Sequence, residues 1–415
     1  MRINTQIHLS IALAFCISIS ILPAVAYEFT LSIFGNANMD DTIDESDIAF
    51  VREIIGGTQK ATTFADADCN GKVDEFDISR IESIIKGDET TLTIVDGVGR
   101  NVTVSVPVEK IVTIAGSYGP EMLLALGVKP QAISTSKSHA AQLQDLLVDI
   151  PTVGSTSEPD FESIVKLNPQ IVHCYESYYK KGSYEKLEKA LNSSGIGLVS
   201  MDFHKPSNFD NAIRIMGYLI GNRERADSLI DFEESNMQLI REKTESLTDK
   251  ELTSLYFESG EDFATRGPGD NTFDAIILCG GRSVFDDIAQ ANPTVEPEAI
   301  INRNPQVIIK APDGFAATNS TVPLKEVLSG LVNRTGWQDL DAVKNGRLYF
   351  VNGGTRSVHN SIFCLFMAKA LHPDLFSNVD PESIYRQWYD EFLGTNNQLV
   401  VAYPPSGSWK KAAGE

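Results

Sequence analysis

Asp160-Phe-Glu-Ser-Ile-Val-Lys-Leu-Asn168-Pro169-Gln170-Ile-Val-His173 recurs 136 residues later as Glu296-Pro-Glu-Ala-Ile-Ile-Asn-Arg-Asn304-Pro305-Gln306-Val-Ile-Ile309. Each copy reads as a short helix stopped by Asn-Pro, because the residue before a proline is pushed out of the α region. A β-branched run follows at once and reads as a buried strand. The same helix stop and buried strand, made twice, predicts two lobes of similar construction. Between the copies, Asn222 to about Lys250 is charged and helix-favouring and holds neither Pro nor Gly, so it reads as one long helix.

The pattern extends on both sides of the echo. Thr91–Val95, a turn through Asp96-Gly97 and Gly99, and Val102–Val106 predict a hairpin. Ile111 to Ala115 predicts a buried strand, followed by a Gly-containing turn and a helix that Gly127 closes. Strands and helices keep alternating downstream, which indicates an α/β domain with mainly parallel sheets. The expected organisation is lobe 1 over about 91–220, the linking helix over about 222–250 and lobe 2 over about 251–395. An irregular tail is expected over 396–415.

A second repeat lies nearer the start. Asn36-Ala-Asn38-Met-Asp40-Asp-Thr-Ile43-Asp-Glu-Ser-Asp47 returns as Asp66-Ala-Asp68-Cys-Asn70-Gly71-Lys-Val73-Asp-Glu-Phe-Asp77. Both place oxygen-bearing side chains at loop positions 1, 3, 5 and 12. Hard Ca²⁺ takes six to eight oxygens, and alternate residues of a tight loop can supply them while a later carboxylate closes the sphere. Asn36, Asn38, Asp40 and Asp47 are the candidate ligands of the first loop, and Asp66, Asp68, Asn70 and Asp77 those of the second. Asn36 carries no charge and Asp41 replaces the turn glycine, so the first site is expected to be the weaker. Short helices are expected over Ile48–Ile55 and Ile78–Ile85. Residues 27–89 hold fifteen Asp/Glu against five Lys/Arg, as a cation-binding segment would.

This twin loop–helix unit, about residues 31–87, resembles a dockerin module, since position 12 is Asp. The resemblance implies a cohesin-like partner, although Glu45-Ser46 and Glu75-Phe76 at positions 10 and 11 differ from the common Ser-Thr pair. Residues 91–395 resemble the iron-complex and cobalamin branch of the helix-linked substrate-binding proteins of ABC importers. The motifs carrying that likeness include Val106–Lys110, Ile111–Gly127, Cys279-Gly280-Gly281-Arg282-Ser-Val-Phe285-Asp286, Ala342–Tyr349 and Leu371–Phe376. The fold class implied is two similar α/β lobes joined by a long helix, preceded by a small all-α calcium-loop module.

The loops after the strand ends of facing lobes would form a ligand cleft. In lobe 1 they carry Ser117, Tyr118, Tyr175, Tyr178, Tyr179, Phe203 and His204. In lobe 2 they carry Arg266 and Arg356. Aromatic faces suit a large flat or chelated ligand, and arginine suits its carboxylates or phosphate. His204 is also a candidate ligand to a metal centre. The resemblance implies one acidic residue per lobe for docking on the permease, with Glu185 and Glu326 the candidates. Some relatives carry a disulfide in the segments of Cys279 and Cys364.

Arg2, the apolar run Ile7–Leu22 and Ala24-Val25-Ala26 predict a secretory signal peptide over 1–26, cleaved after Ala26. That places the chain outside the cytoplasm, in a periplasm or at a cell surface. A formal net charge of −21 argues against nucleic acid as a partner. The sequence holds no His-Glu-x-x-His, no Gly-x-Ser-x-Gly and no phosphate loop. The reading is therefore an extracytoplasmic solute receptor, not an enzyme, that delivers a ferric siderophore, haem or corrinoid to an ABC importer. The alternative is a dockerin-bearing secreted enzyme of a polysaccharide-degrading complex.

Overall fold

A computed structural model describes residues 30–116, 118–135, 140–177, 185–312, 321–395 and 401–409. The expected signal peptide lies outside the described residues. The chain starts with helices α1 (Glu45–Ile55) and α2 (Glu75–Lys86), each preceded by one of the repeated loops. Both helices begin a turn earlier than expected, because Asp44 and Asp74 are the N-caps. Asp47 and Asp77 each accept a hydrogen bond from the cap's own N–H at 2.8 Å, completing a capping box.

The hairpin of β1 (Thr91–Val95) and β2 (Asn101–Ser105) is antiparallel, with Thr91 opposite Ser105, and its second strand starts one residue earlier than expected. Five strands then form the first lobe: β3 (Ile111–Thr113), β4 (Ala132–Thr135), β5 (Thr152–Ser155), β6 (Ile171–Cys174) and β7 (Gly197–Ser200). They are parallel, in the order β5-β4-β3-β6-β7. Helices α3 (Tyr118–Ala125), α4 (Ala140–Leu147), α5 (Phe161–Leu167), α6 (Glu185–Ser193) and α7 (Phe209–Ile220) connect or cover them. The linking helix α8 spans Arg223–Thr244. It stops short of the expected Lys250 because Glu251 accepts from the Thr248 N–H at 2.9 Å and its hydroxyl at 2.6 Å, a local turn that competes with helix.

The second lobe has β8 (Thr253–Glu258), β9 (Gly281–Ser283), β10 (Val307–Lys310), β11 (Leu348–Val351) and β12 (Ala402–Tyr403), in the order β12-β11-β10-β8-β9. Its helices are α9 (Asn271–Leu278), α10 (Pro297–Arg303), α11 (Val322–Val332), α12 (Asp341–Lys344), α13 (Thr355–Val358), α14 (Asn360–Leu371) and α15 (Pro381–Leu393). Only β12 runs antiparallel. Part of the tail expected to be irregular is therefore an ordered sheet edge, and Trp409 packs on Tyr349 at 4.3 Å.

The echo has a structural explanation. Helices α5 and α10 end with Asn168 and Asn304 in the left-handed region, at φ 47° and 42°. Asparagine tolerates that conformation better than most residues. Gln170 Oε1 then accepts from Lys110 N at 3.0 Å, and Gln306 Oε1 accepts from Ser254 N at 2.9 Å. Each glutamine thereby ties the start of its own strand to the start of the lobe's first strand.

The N-terminal unit is fastened to lobe 1. Phe34 N donates to Thr93 O and Val95 N to Ser32 O, so the unit extends the hairpin. Ile43 N donates to the buried Tyr218 hydroxyl at 3.1 Å, and Arg223 pairs with Glu89 at 3.1 Å. Buried Ile81 and Ile84 share one apolar core with Leu92, Ile94 and Leu219.

Helix α8 carries a buried carboxylate, Glu233, whose Oε2 accepts from Ser361 N at 2.9 Å at the start of α14. Burial pushes Glu233 up to about 7. A carboxyl raised in the folded state binds its proton more tightly there than when unfolded. Its contribution to stability is complete below the unfolded value near 4.5 and is lost as pH rises to about 7. The Glu233→Gln variant should therefore flatten this falling limb. The difference in unfolding free energy between pH 5 and pH 8, measured in urea, should shrink by about 1–3 kcal/mol. An unchanged difference would contradict this assignment.

Candidate functional site

The lobe 1 half of the cleft is built where β3, β6 and β7 end. Gly116, at φ 51°, lets the chain turn beneath the Tyr175 ring, which a Cβ there would approach to 3.2 Å. Tyr118 opens α3, and its N–H donates to the Tyr175 hydroxyl at 3.4 Å. His204 stacks on Tyr118 with ring centroids 5.8 Å apart and meets Tyr175 edge-on at 4.8 Å. Three of the expected residues thus converge into one aromatic–imidazole group.

Burial pushes the His204 imidazole below its ordinary value, so the ring is neutral near pH 7. Its Nδ1 is buried and has no hydrogen-bond partner among the described residues. The loop carrying it is held by groups that sequence reasoning did not single out. Lys205 pairs with Asp202 and with Glu176, the latter at 3.0 Å. Glu176 also accepts from Asn208 at 2.9 Å, and its N–H donates to Asp202 at 3.0 Å. The Asp202-x-x-Lys205 spacing was the available signal.

Phe203 belongs to the core rather than to the cleft surface. It lies in the turn after β7, is fully buried and packs on His173 at 4.7 Å, while His204 beside it is half-buried. Ser117, Tyr178 and Tyr179 lie outside the described residues. Glu185 opens α6, with its side chain also outside that description, and Glu326 is exposed on α11.

In lobe 2 the two predicted arginines meet at the start of α9. Arg356 donates to Thr272 Oγ1 at 3.1 Å. Arg266 bonds Asn292 and lies 3.8 Å from Asp270, the N-cap of α9. Both guanidinium groups are half-buried. Gly353, just ahead of α13, passes so close to Pro312 that a Cβ would sit 2.5 Å from its carbonyl oxygen. Between the lobes, α13 packs against α3, which sets Arg356's helix beside Tyr118's.

Other charged groups at the strand ends are sequestered. Buried Glu258 is bonded by Lys310 at 2.8 Å and by Arg334 at 2.7 Å. Burial alone would raise its pKa, but these two cations hold it below the usual range. A cavity of about 150 Å³ lies elsewhere, between the first repeated loop and α7–α8. Its Arg214 pairs with Asp41 at 3.3 Å and Asp227 at 3.1 Å, so the cavity reads as an imperfect seam.

In the second repeated loop, carboxylate oxygens of Asp66, Asp68 and Asp77 lie within 4.8 Å of one another. Like charges this close disfavour one another unless a cation lies between them. In the first loop, amides occupy two ligand positions. Asn36 Nδ2 donates to the backbone oxygens of Leu31 and Asp40, and Asn38 Nδ2 donates to Asp40 Oδ2 at 2.6 Å. Cys279 and Cys364 are both buried free thiols, with Cys279 Sγ donating to the Cys364 carbonyl at 3.3 Å.

The comparisons agree with this architecture. An ABC transporter substrate-binding lipoprotein of Bacillus subtilis, YvrC, itself uncharacterised, is 25% identical over 291 residues, covering 68% of this chain and 85% of the relative. The high-affinity haem uptake protein IsdE of Staphylococcus aureus is 24% identical over 203 residues, 48% of this chain and 66% of that protein. The TroA-like periplasmic binding protein FepB of Veillonella parvula superposes with a TM-score of 0.64 at 22% identity, over 75% of this chain and 98% of that one. The family model of the periplasmic binding proteins matches residues 111–353, more than half of the sequence. With two linked α/β lobes, this chain belongs to the periplasmic binding protein family.

Proposed function

We propose that this chain is the extracytoplasmic receptor of an ABC importer and that its cargo is a metal chelate bearing carboxylate or phosphate groups, such as a ferric siderophore, haem or a corrinoid. The observation that carries this reading is the opposition of unlike half-sites. Tyr118, Tyr175 and His204 offer ring faces and a neutral imidazole from lobe 1. Arg266 and Arg356 offer fixed positive charge from lobe 2. A flat or chelated anion satisfies both. The haem uptake relative is consistent with that class of cargo. Glu185 and Glu326, at or near the starts of α6 and α11, are the residues proposed to meet arginines of the permease.

The repeated loops are proposed to bind Ca²⁺ and to attach the protein, in the manner of a dockerin, to a cohesin-like partner. The three converging carboxylates of the second loop fit a hard cation. The first loop offers only Asp40 and Asp47 as charged ligands beside Asn36 and Asn38, so it takes the weaker share. No helix among the described residues is long and apolar enough to cross a membrane. Retention at the cell surface through the calcium-loop unit would keep the receptor near its permease.

Two measurements test these readings. Titrating the exported chain with ferric siderophores, haemin and cobalamin should give saturable one-to-one quenching of intrinsic fluorescence by one of them. His204→Ala or Arg356→Ala should weaken that binding by about tenfold or more. No response across the panel, together with turnover of a glycan, would sink the receptor reading. Calcium titration calorimetry should resolve a tighter and a weaker site. Asp68→Ala should abolish the tighter one and the thermal stabilisation that saturating Ca²⁺ confers, about 2–3 kcal/mol at a hundredfold excess over Kd. Identical heats in the parent and the variant would overturn the assignment of the second loop.

A further inference from the structure

Among the contacts between the lobes is a buried hydrogen-bonded group. Glu121 belongs to α3 of lobe 1, and its Oε1 accepts from His359 Nε2 at 3.0 Å and from the Tyr389 hydroxyl at 2.6 Å. His359 precedes α14 and Tyr389 lies on α15, so both donors come from lobe 2. All three residues are buried. The His359 ring is walled by Trp388 at 4.3 Å and Tyr385 at 5.1 Å. The linking helix reaches the same place, where Asn236 Nδ2 donates to Ser361 Oγ at 3.2 Å and Glu233 accepts from Ser361 N.

The spacing connects this point to the cleft. Tyr118 and Glu121 are three residues apart at the start of α3, about one helical turn. Arg356 and His359 are also three residues apart in lobe 2. In each lobe, a residue facing the cleft is therefore followed one turn later by a residue that grips the other lobe.

We propose that Glu121, His359 and Tyr389 form a positioning clasp that sets the separation between Tyr118 and Arg356. The linking helix fixes which lobe follows which, and the clasp fixes how far apart their binding faces stand. Opening the lobes here would break both hydrogen bonds to Glu121 and expose the Tyr385, Trp388 and Tyr389 rings to water, so separation is disfavoured. The clasp thereby gives the cleft a preset width, and cargo does not have to supply the free energy of closure. This goes beyond the receptor reading, because it concerns the lobes whatever they bind.

Distance measurement without any ligand tests the clasp apart from the question of cargo. Spin labels at exposed Lys189→Cys and Lys325→Cys report on the two lobes, in a chain with Cys16→Ser and Cys69→Ser. Pulsed electron–electron resonance on Glu121→Ala should show the inter-lobe distance shifted or broadened by more than about 2 Å. Glu121→Gln should retain the parent distribution, because its amide oxygen still accepts from both donors. The double variant His359→Leu with Tyr389→Phe removes both donors while keeping side-chain bulk, and provides the same reading if Glu121→Ala does not fold. A folded clasp-deficient variant whose distribution superimposes on the parent's would overturn the proposal. Lost thermal stability with unchanged distances would likewise reduce these residues to packing.

Discussion

Each lobe depends on a point where a surface helix must stop and a fully buried strand must start within two residues. The backbone achieves this by placing Asn168 and Asn304 in the left-handed region, with Pro169 and Pro305 preventing continuation of the helix. Gln170 and Gln306 then take N–H groups at the entry of the neighbouring strand, which would otherwise be left without partners beside the sheet. A slip of one residue here would turn Ile171 or Val307 to the opposite face of its sheet. Sheet order, strand ends and the loops that leave them all follow from this junction.

Because β3, β6, β8 and β10 run parallel within their sheets, their carboxyl ends gather the loops that carry the candidate site residues. The chemistry of the two rims differs. Lobe 1 offers rings and a neutral imidazole, while lobe 2 offers guanidinium groups. Lys310 and Arg334 do not add to that charge, since both are committed to Glu258. The N-terminal unit is also part of this frame. Its hairpin contacts, the Ile43–Tyr218 bond and the shared apolar core make it an extension of lobe 1. Any surface that holds the unit therefore holds lobe 1 in a fixed orientation.

Much of this architecture is legible in the sequence because it rests on local rules. The Asn-Pro stops, the hairpin turn and the loop repeat each fit within about fourteen residues and carry their own signals of cap, turn or period. Tyr118, Tyr175 and His204, named from separate loops, come together, and so do Arg266 and Arg356 at the start of α9. Which neighbour faces out was less legible. Phe203 and His204 are adjacent in the turn after β7, and only tertiary packing on His173 decides that Phe203 enters the core. The Glu121–His359–Tyr389 clasp was not legible at all. Its members are separated by 238 and 268 residues from Glu121, and a lone glutamate in an apolar helix gives no sign of its partners. Tertiary hydrogen bonds of this reach are visible only after folding.

The central claim is that this two-lobed protein captures a metal chelate outside the cytoplasm. The most direct measurement is native mass spectrometry, with an absorbance spectrum, of the protein isolated from its own source without added ligand. The account predicts one non-covalent adduct per chain, heavier than calcium alone, with a metal isotope signature and a chromophore that disappears from the Arg356→Ala protein. A chain that carries only calcium, from cells supplied with siderophore, haem and corrinoid, would contradict it.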